Sequence, residues 1–404
     1  MKPKALTCMI VVILLALVTV AVRLAAESRP QDTGVRYSVV QLDTLGGTQG
    51  GANSINNRGW VTGLANQVGD QTAHATLWLR GRTIDLRTLG GPNSAVSWPV
   101  KNDRGEIVGI SETADVDPLG ETFSCAAFFG TPHTGHSCRG FLWRDGVMTG
   151  LGTLGGNNSY ATGANNRSQA VGWAENTTHD STCTPPQVLQ FRAVIWGLKD
   201  NQIQELSPFP GDSTSAATAI NDRGQVVGIS GPCDRARGRF SAKHAVLWQN
   251  GTPTDLGSFG GIAWNTPTAI NQRGDVAGFS DFPGDQGGGL NAHAFLWTGA
   301  GPLQDLGVLS GDAISLAFGI NNQRHVVGQS IGANGSRAFI FRDGVMTDLN
   351  SLVAHGSPFL IYANDINERG EIVGQGCQQC STGETFAVKL IPREDDGNDH
   401  DDDR

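Results

Sequence analysis

The sequence predicts an all-β protein, a closed seven-bladed β-propeller with four antiparallel strands in each blade. Three observations lead to this prediction. Glycine accounts for 55 of the 404 residues, about twice its ordinary share, while 39% of the residues are hydrophobic. A unit of about fifty residues recurs seven times along the chain. The N-terminal region also contains the strand that the last unit lacks, and this strand is expected to complete the last blade.

The repeat is clearest in a hairpin motif. AINDRGQVVGIS at 219–230 returns as AINQRGDVAGFS at 269–280 and, less closely, in every other unit. Between two apolar runs, N-x-R-G suits a tight turn that ends with a left-handed glycine, so we interpret the asparagine and the glycine as turn residues. One asparagine marks each copy, at intervals of 46 to 63 residues: Asn56, Asn102, Asn165, Asn221, Asn271, Asn321 and Asn367.

A third and a fourth strand follow each hairpin. The third is an apolar run such as HAFLW at 293–297, and the fourth lies in segments such as TPTDLGSFGG at 252–261. Dipeptides that favour two-residue turns separate them in three units: Asp145-Gly146, Asn250-Gly251 and Asp343-Gly344. The connection between the second and third strands varies most in length, so we expect variable loops at one end of the blades. Recurrent glycines, such as Gly228, are expected to allow close approach between blades.

The two ends of the repeat complement one another. The seventh unit ends after its third strand, whereas YSVVQLDTLGG at 37–47 matches the fourth-strand pattern. We therefore expect residues 37–391 to form the propeller, with Ser38–Leu42 in the same sheet as Thr385–Leu390. Such an exchange closes the ring and hides the sheet edges.

Three motifs in fixed order give the chain a family resemblance. With HAFLW, D-L-G-x-L-G-G and I-N-x-R-G-x-V-V-G combined, residues 37–391 resemble the HAF-repeat family of probable extracellular proteins. The resemblance implies an exported bacterial repeat protein and supplies no catalytic residues.

Both termini differ from the repeats. Residues 1–26 combine Lys2 and Lys4 with an apolar run from Ala5 to Val22, which is typical of a signal peptide; an uncleaved membrane anchor is the alternative. Residues 392–404 form an acidic tail, expected to be disordered. We therefore expect an exported protein that is extracellular, periplasmic or on the cell surface. The net charge of -9, with 29 lysines and arginines, argues against a nucleic-acid partner, and a membrane is expected only with an uncleaved anchor.

Six cysteines follow the predicted signal peptide. An even number in an exported chain suggests disulfides, and we expect the pairs Cys125–Cys138, Cys183–Cys233 and Cys377–Cys380. Zinc bound through His133 and His136 is the alternative for the first pair. No other metal or cofactor is predicted. A repeated position occupied by His74, His244 and His293, and by arginine in other units, is interpreted as a polar residue at the blade edge.

The chain carries no motif of known catalytic chemistry, so binding is the leading functional hypothesis. We expect a non-enzymatic binding or scaffold module that presents its variable loops to a glycan or a protein. The alternatives are a lyase or hydrolase that uses the central funnel, and a membrane-anchored structural protein of the cell surface. Four aromatic residues are candidates for ligand binding, with packing between blades as the alternative role: Trp98, Tyr160, Trp264 and Tyr362.

Overall fold

The computed structural model describes residues 35–121, 129, 134–200, 202–234, 239–284, 286–288 and 291–393. The predicted signal peptide (1–26), Cys125, His133 and all but the first two residues of the predicted tail lie outside these ranges. Within them, 28 strands form seven four-stranded antiparallel sheets. The described part of the chain contains no helix that is long and apolar enough to cross a membrane.

The strands follow the repeat. The chain starts with β1 (Arg36–Gln41). Blade 1 contains β2 (Gly46–Ile55), β3 (Val61–Gln67), β4 (Ala73–Leu79) and β5 (Arg82–Asp85). Blade 2 contains β6 (Gly90–Ala95), β7 (Ile107–Val116), β8 (His136–Arg144) and β9 (Val147–Gly150). Blade 3 contains β10 (Gly155–Ala164), β11 (Gln169–His179), β12 (Leu189–Gly197) and β13 (Ile203–Leu206).

The second half of the ring repeats the pattern. Blade 4 contains β14 (Thr214–Ile220), β15 (Val226–Gly231), β16 (His244–Gln249) and β17 (Thr252–Asp255). Blade 5 contains β18 (Thr266–Ile270), β19 (Val276–Ser280), β20 (His293–Trp297) and β21 (Gln304–Asp305). Blade 6 contains β22 (Asp312–Ile320), β23 (Val326–Gly332), β24 (Gly335–Arg342) and β25 (Val345–Asp348). Blade 7 contains β26 (Phe359–Ile366), β27 (Ile372–Cys377) and β28 (Phe386–Arg393). Three short 3₁₀ helices lie in connections: Phe240–Ala242, Leu349–Leu352 and Cys380–Thr382.

The N-terminal strand closes the ring. In blade 7 the strand order is β1-β28-β27-β26, so β1 takes the outer position that the fourth strand fills elsewhere. The backbone N–H of Leu42 continues this contact by donating to the Ala387 carbonyl at 2.9 Å. The sequence prediction is confirmed: the protein is a closed seven-bladed β-propeller.

The turns have the predicted conformations. Asp145-Gly146, Asn250-Gly251 and Asp343-Gly344 combine positive φ at both central positions, as two-residue hairpins of type I′ require. Ser168 and Arg324, which replace glycine in two first hairpins, also adopt left-handed conformations, at φ 58° and 65°. The turns inside the blades define one end of the propeller, the hairpin face. The variable loops and the connections between blades define the opposite end, the variable-loop face.

The recurrent glycine of the second strand serves contacts within the blade, which corrects the expectation of approach between blades. A Cβ atom on Gly228 would lie 2.1 Å from the Ala216 carbonyl oxygen of β14 in the same blade. The pairing of β14 with β15 shifts register between Ala217 and Ala219. The glycine therefore makes room for a β-bulge of the first strand.

Two of the tryptophans that end third strands anchor their blades to the connection before them. Trp196 and Trp248 are 0% and 1% exposed. Their indole N–H groups donate to the Gly152 carbonyl at 3.0 Å and the Ser207 carbonyl at 2.7 Å, respectively. These residues therefore belong to the core, as expected from the repeat.

The marker asparagines form a closed ring of hydrogen bonds near the hairpin face. Each side-chain N–H₂ donates to the backbone carbonyl of the marker asparagine in the next blade, at 2.7 to 3.2 Å, and Asn367 returns the ring to Asn56. Each side-chain oxygen also accepts two backbone N–H groups of its own turn, as Asn221 does from Arg223 and Gln225. One residue type thus closes the turn and joins the blades.

The residue after each marker asparagine forms a second closed ring. Its backbone N–H donates to the side-chain oxygen of the equivalent residue in the next blade. Asn57 donates in this way to Asp103, and Glu368 donates to Asn57. Polar residues that look like loop residues in the sequence therefore bind all seven blades together.

Candidate functional site

An open cavity of about 340 Å³ lies on the variable-loop face, between blades 4 and 5. Its volume falls at the lower end of the range of small-molecule sites. The start of β16 forms one wall and the connection that leads into β18 forms the other. The lining residues are Lys243, His244, Asp255, Gly257, Ser258, Gly261 and Ile262.

His244 is held in a fixed orientation within this cavity. Its Nδ1 lies 2.7 Å from Oδ2 of Asp212, and the ring of Phe209 lies 4.7 Å from the imidazole. The same oxygen of Asp212 also accepts the Ser230 hydroxyl at 2.8 Å. The equivalent histidine His293 contacts Asp305 at 3.0 Å, so this repeated blade-edge residue pairs with a carboxylate. The pairing leaves Lys243 and the remaining polar lining groups to contact a ligand.

Trp264 lies beside the cavity, in the same connection as Gly261 and Ile262. The indole is half-buried, and its N–H donates to the Gly287 carbonyl at 2.7 Å. Arg239 donates to the same carbonyl at 3.2 Å, and its own carbonyl accepts the Trp264 backbone N–H. The variable loops of blades 4 and 5 therefore position this aromatic residue. Ile262 is 55% exposed and adds an apolar edge.

Trp98 has a different location from Trp264, because it crosses the central channel. Its indole N–H, in the segment between β6 and β7 of blade 2, donates to the Thr268 carbonyl of blade 5 at 3.0 Å. Blades 2 and 5 are not neighbours in the ring, so the side chain must span the channel. Trp98 therefore does not lie with Trp264 beside the cavity.

Lys101 reaches into the same channel. Its ammonium group donates to the Asp365 carboxylate and, at 2.7 Å, to the Ile366 carbonyl of blade 7, beyond blade 1. Burial raises the pKa of Asp365, while the ammonium group of Lys101 opposes this shift. The Ile366 carbonyl of β26 and the Thr268 carbonyl of β18 therefore accept hydrogen bonds from side chains of blade 2.

An insertion in the sequence accounts for the segment of blade 2 that enters the channel. From Gly90 to Asn102 the first strand of blade 2 is two residues longer than the equivalent stretches Gly46 to Asn56 and Gly155 to Asn165. The extra length ends the regular strand at Ala95 and carries the following residues into the channel. The insertion becomes visible when the number of residues before each marker asparagine is compared between repeats. The lengths after the marker do not show it.

We expect Trp98→Phe to lower the free energy of unfolding by at least about 1 kcal/mol, because the hydrogen bond to the Thr268 carbonyl is lost together with part of a half-buried ring. Urea unfolding of the two proteins measures the difference. A variant as stable as the parent would show that the contact across the channel contributes nothing.

The two tyrosine candidates do not join Trp264. Tyr160 is 2% exposed and packs in a core cluster with Trp173 and Phe191. Burial raises the pKa of Tyr160, and the Ser97 hydroxyl opposes this shift. Its position matches the alternative role of packing between blades. Tyr362 is half-buried in β26, opposite Gln375 of β27.

Buried carboxylates join the variable loops of blades 2 and 3. Glu175 is fully buried, and it accepts hydrogen bonds from the Asn158 backbone at 2.8 Å and the Gln187 amide at 3.0 Å. Glu121, 1% exposed, accepts from the Gln187 amide and from the backbone N–H groups that start β12. Burial and the neighbouring Glu121 raise the pKa of Glu175 to about 7. The sequence does not indicate this cluster, since Glu121 and Gln187 lie in variable loops without a repeat pattern, and Glu121 is far in sequence from Glu175 of β11.

One predicted disulfide connects neighbouring blades. Cys183 and Cys233 are bonded, with their Cα atoms 4.3 Å apart, and they join the variable loops of blades 3 and 4. Cys377 and Cys380 also form a bond, with a Cα separation of 5.1 Å. The predicted pair Cys125–Cys138 and the zinc alternative with His133 involve residues outside the described ranges. In the described part of the chain, Asp180 with Cys183 and Cys233 is the one group with metal-ligand spacing, and its sulfur atoms are already joined to each other.

Comparisons with known proteins identify no family for this chain. No family model and no curated protein matches the sequence. Pyrococcus horikoshii acylaminoacyl peptidase is similar in structure, with 12% identity over 88% of this chain and 52% of its own, at a TM-score of 0.48. The oligogalacturonate lyase of Vibrio parahaemolyticus shows 9% identity over 89% and 92% of the two chains, at a TM-score of 0.47. The chain thus spans about half the length of the peptidase. The HAF-repeat resemblance stays a prediction.

Proposed function

We propose that this protein is an exported binding propeller whose variable-loop face takes a glycan. The cavity between blades 4 and 5 is the observation that carries the proposal. Lys243, His244 and Ser258 line it. The aromatic residue Trp264 lies in the connection that also supplies Gly261 and Ile262 to its wall. Sugar recognition uses such a combination, since hydroxyl groups need donors and acceptors while the sugar ring faces an aromatic plane.

The bonds between loops support a binding role. The Cys183–Cys233 disulfide and the hydrogen bonds of Glu121 connect the variable loops of blades 2, 3 and 4. Loops that are ordered before binding lose less entropy on contact with a partner. A disulfide between blades also suits the exported location that the HAF-repeat resemblance implies.

The central channel gives less support to the alternative of a funnel enzyme. Trp98 and Lys101 occupy the channel and use their polar groups in contacts with blades 5 and 7. The raised pKa of Glu175 is of the kind found in catalytic acids, but this side chain is fully buried and faces protein donors. A protein partner remains the second candidate for the variable-loop face, because exposed Ile262 suits either partner.

Glycan and protein arrays probed with the full chain test the proposal. We expect glycan binding that weakens about tenfold in Lys243→Ala combined with Ser258→Ala, because both exposed side chains line the cavity. Lys199→Ala, an exposed lysine in a turn of the hairpin face, is the matched control and should bind like the parent. Binding only to proteins, or equal glycan binding by the double variant, would contradict the proposed site.

A further inference from the structure

Six of the seven first hairpin turns carry an arginine that the turn itself does not require. The arginine stands two residues after the marker asparagine, and blade 6 has glutamine there. All seven side chains are exposed, on the face opposite the proposed glycan site. They are Arg58, Arg104, Arg167, Arg223, Arg273, Gln323 and Arg369. Each arginine belongs to a turn that is joined to its neighbours in the asparagine ring. The arginines therefore surround the channel opening at the same height along the channel axis.

The guanidinium groups keep most of their donors. Arg58 donates through Nη1 to the Asp103 carbonyl of the next blade at 3.2 Å, and Arg104 donates to the Asn166 carbonyl at 3.4 Å. Arg223 makes the same contact with the Arg273 carbonyl at 3.3 Å. One of about five N–H donors is used in each of these contacts. The bond orients the group along the ring and leaves its other donors for an anion.

The carboxylates among these turns are already engaged. Asp103 and Asp222 accept the backbone N–H of the preceding turn at 2.8 and 2.7 Å, and Glu368 does so at 3.0 Å. At the two positions after the marker, six arginines therefore face three carboxylates. Three further carboxylates of these turns, Glu106, Asp275 and Glu371, pair with Arg144, Arg324 and Lys389, and Glu371 also contacts Arg369. Counted together, these groups carry a net positive charge although the protein is acidic.

A basic cavity extends this surface to the blade 7–blade 1 seam. It measures about 270 Å³, and its lining includes Asp43, Gly59, Arg80, Arg82 and Lys389. Lys389 pairs with Glu371 at 2.7 Å, so Arg80 and Arg82 supply most of the cavity's positive charge. Gly59 follows Arg58 in the ring, while Arg80 and Arg82 flank the second hairpin of blade 1. A path of cationic groups thus leads from the channel opening to the outer edge.

We propose that the hairpin face binds a linear acidic polysaccharide, whose repeated carboxylate or sulfate groups pair with arginines of successive blades. Guanidinium groups match such oxyanions with two parallel hydrogen bonds. A membrane surface fits less well, because the seven turns present no aliphatic side chain and their one aromatic residue, Trp60, is covered by Arg58 at 4.9 Å. This site is separate from the proposed glycan cavity and does not depend on it.

Binding of the full chain to alginate and dextran sulfate, with neutral dextran as control, tests the proposal. We expect salt-sensitive binding to one or both acidic polymers and none to neutral dextran. The triple variant Arg104→Gln, Arg167→Gln, Arg223→Gln should bind at least about tenfold more weakly. Gln323 shows that glutamine is accommodated at this position, since it donates to the Glu368 carbonyl at 3.4 Å. The matching triple Arg→Lys variant retains the charge and should retain more of the binding.

Two further variants separate this site from its alternatives. Gln323→Arg completes the ring and should strengthen binding, although Arg324 beside it is already bonded to Asp275 at 3.0 Å. Arg87→Gln, at an exposed arginine in the connection between β5 and β6 on the variable-loop face, is the matched control and should leave polymer binding unchanged. Equal binding by the triple Arg→Gln variant and the parent would overturn the proposal. Binding to anionic lipid vesicles without binding to either acidic polymer would overturn it as well.

Discussion

Asn221→Ala should lower the free energy of unfolding by about 3 kcal/mol, because four hydrogen bonds of a buried side chain, one of them to the Gln225 side chain, are lost together. Its N–H₂ group donates to the Asn271 carbonyl at 3.1 Å, and its oxygen accepts backbone N–H groups from Arg223 and Gln225. The side chain is 1% exposed, so water cannot replace these partners without opening the structure. Urea unfolding measures the loss.

The variant Asn221→Asp distinguishes the stability contributed by the asparagine ring from that contributed by the turn. Aspartate keeps the oxygen that accepts the N–H groups of Arg223 and Gln225, but it replaces the donor with an oxygen facing the Asn271 carbonyl. A role in the turn alone would leave this variant near the stability of the parent. If the asparagine ring contributes to stability, Asn221→Asp should lower the free energy of unfolding about as much as Asn221→Ala does. Parent-like stability of Asn221→Asp would refute the contribution of the ring.

Glu175→Gln should stabilise the protein at pH 8 by about 3 kcal/mol and flatten its dependence on pH. In the folded protein the pKa of Glu175 is raised to about 7, mainly through burial. The folded state therefore holds this proton more tightly than the unfolded chain, in which an ordinary carboxyl titrates near pH 4.5. Stability from this group is complete below about pH 4.5 and is lost as pH rises through 7.

Unfolding midpoints at pH 5 and pH 8 test this prediction. Glutamine is neutral at both values, so it removes the cost of ionising a buried carboxyl at pH 8. Glu205→Gln removes a carboxylate from the exposed outer strand of the same blade and serves as the control. A parent protein equally stable at both pH values, or an equal effect of the control, would contradict the buried titration.

Repetition explains why so much of the fold could be predicted. Seven copies of a four-strand pattern define the blades, and the missing last strand of unit seven shows how β1 closes the ring. The dipeptide Asp145-Gly146 determines a local turn, and its backbone conformation agrees with the sequence prediction. Such features depend on neighbours in sequence, so a single chain reveals them.

Contacts between distant residues limited prediction of the site. Trp98 and Thr268 are 170 residues apart, and their contact follows from an insertion whose path a repeat pattern does not specify. Trp264 takes its position from Gly287 and Arg239 in two variable loops. The marker asparagines were assigned only to turns, because their second partner lies in the next blade. An asparagine that recurs at the same position of every repeat is the sequence feature that could have indicated the ring.

Hydrogen exchange of the full chain, with and without a glycan identified on the array, tests the central claim most directly. The account predicts slower exchange at residues 239–264, around the cavity and Trp264, with the channel segment unchanged. Slower exchange at residues 96–101 and 365–366, with no effect around the cavity, would contradict it. That result would place the ligand in the central channel, where a funnel enzyme binds its substrate.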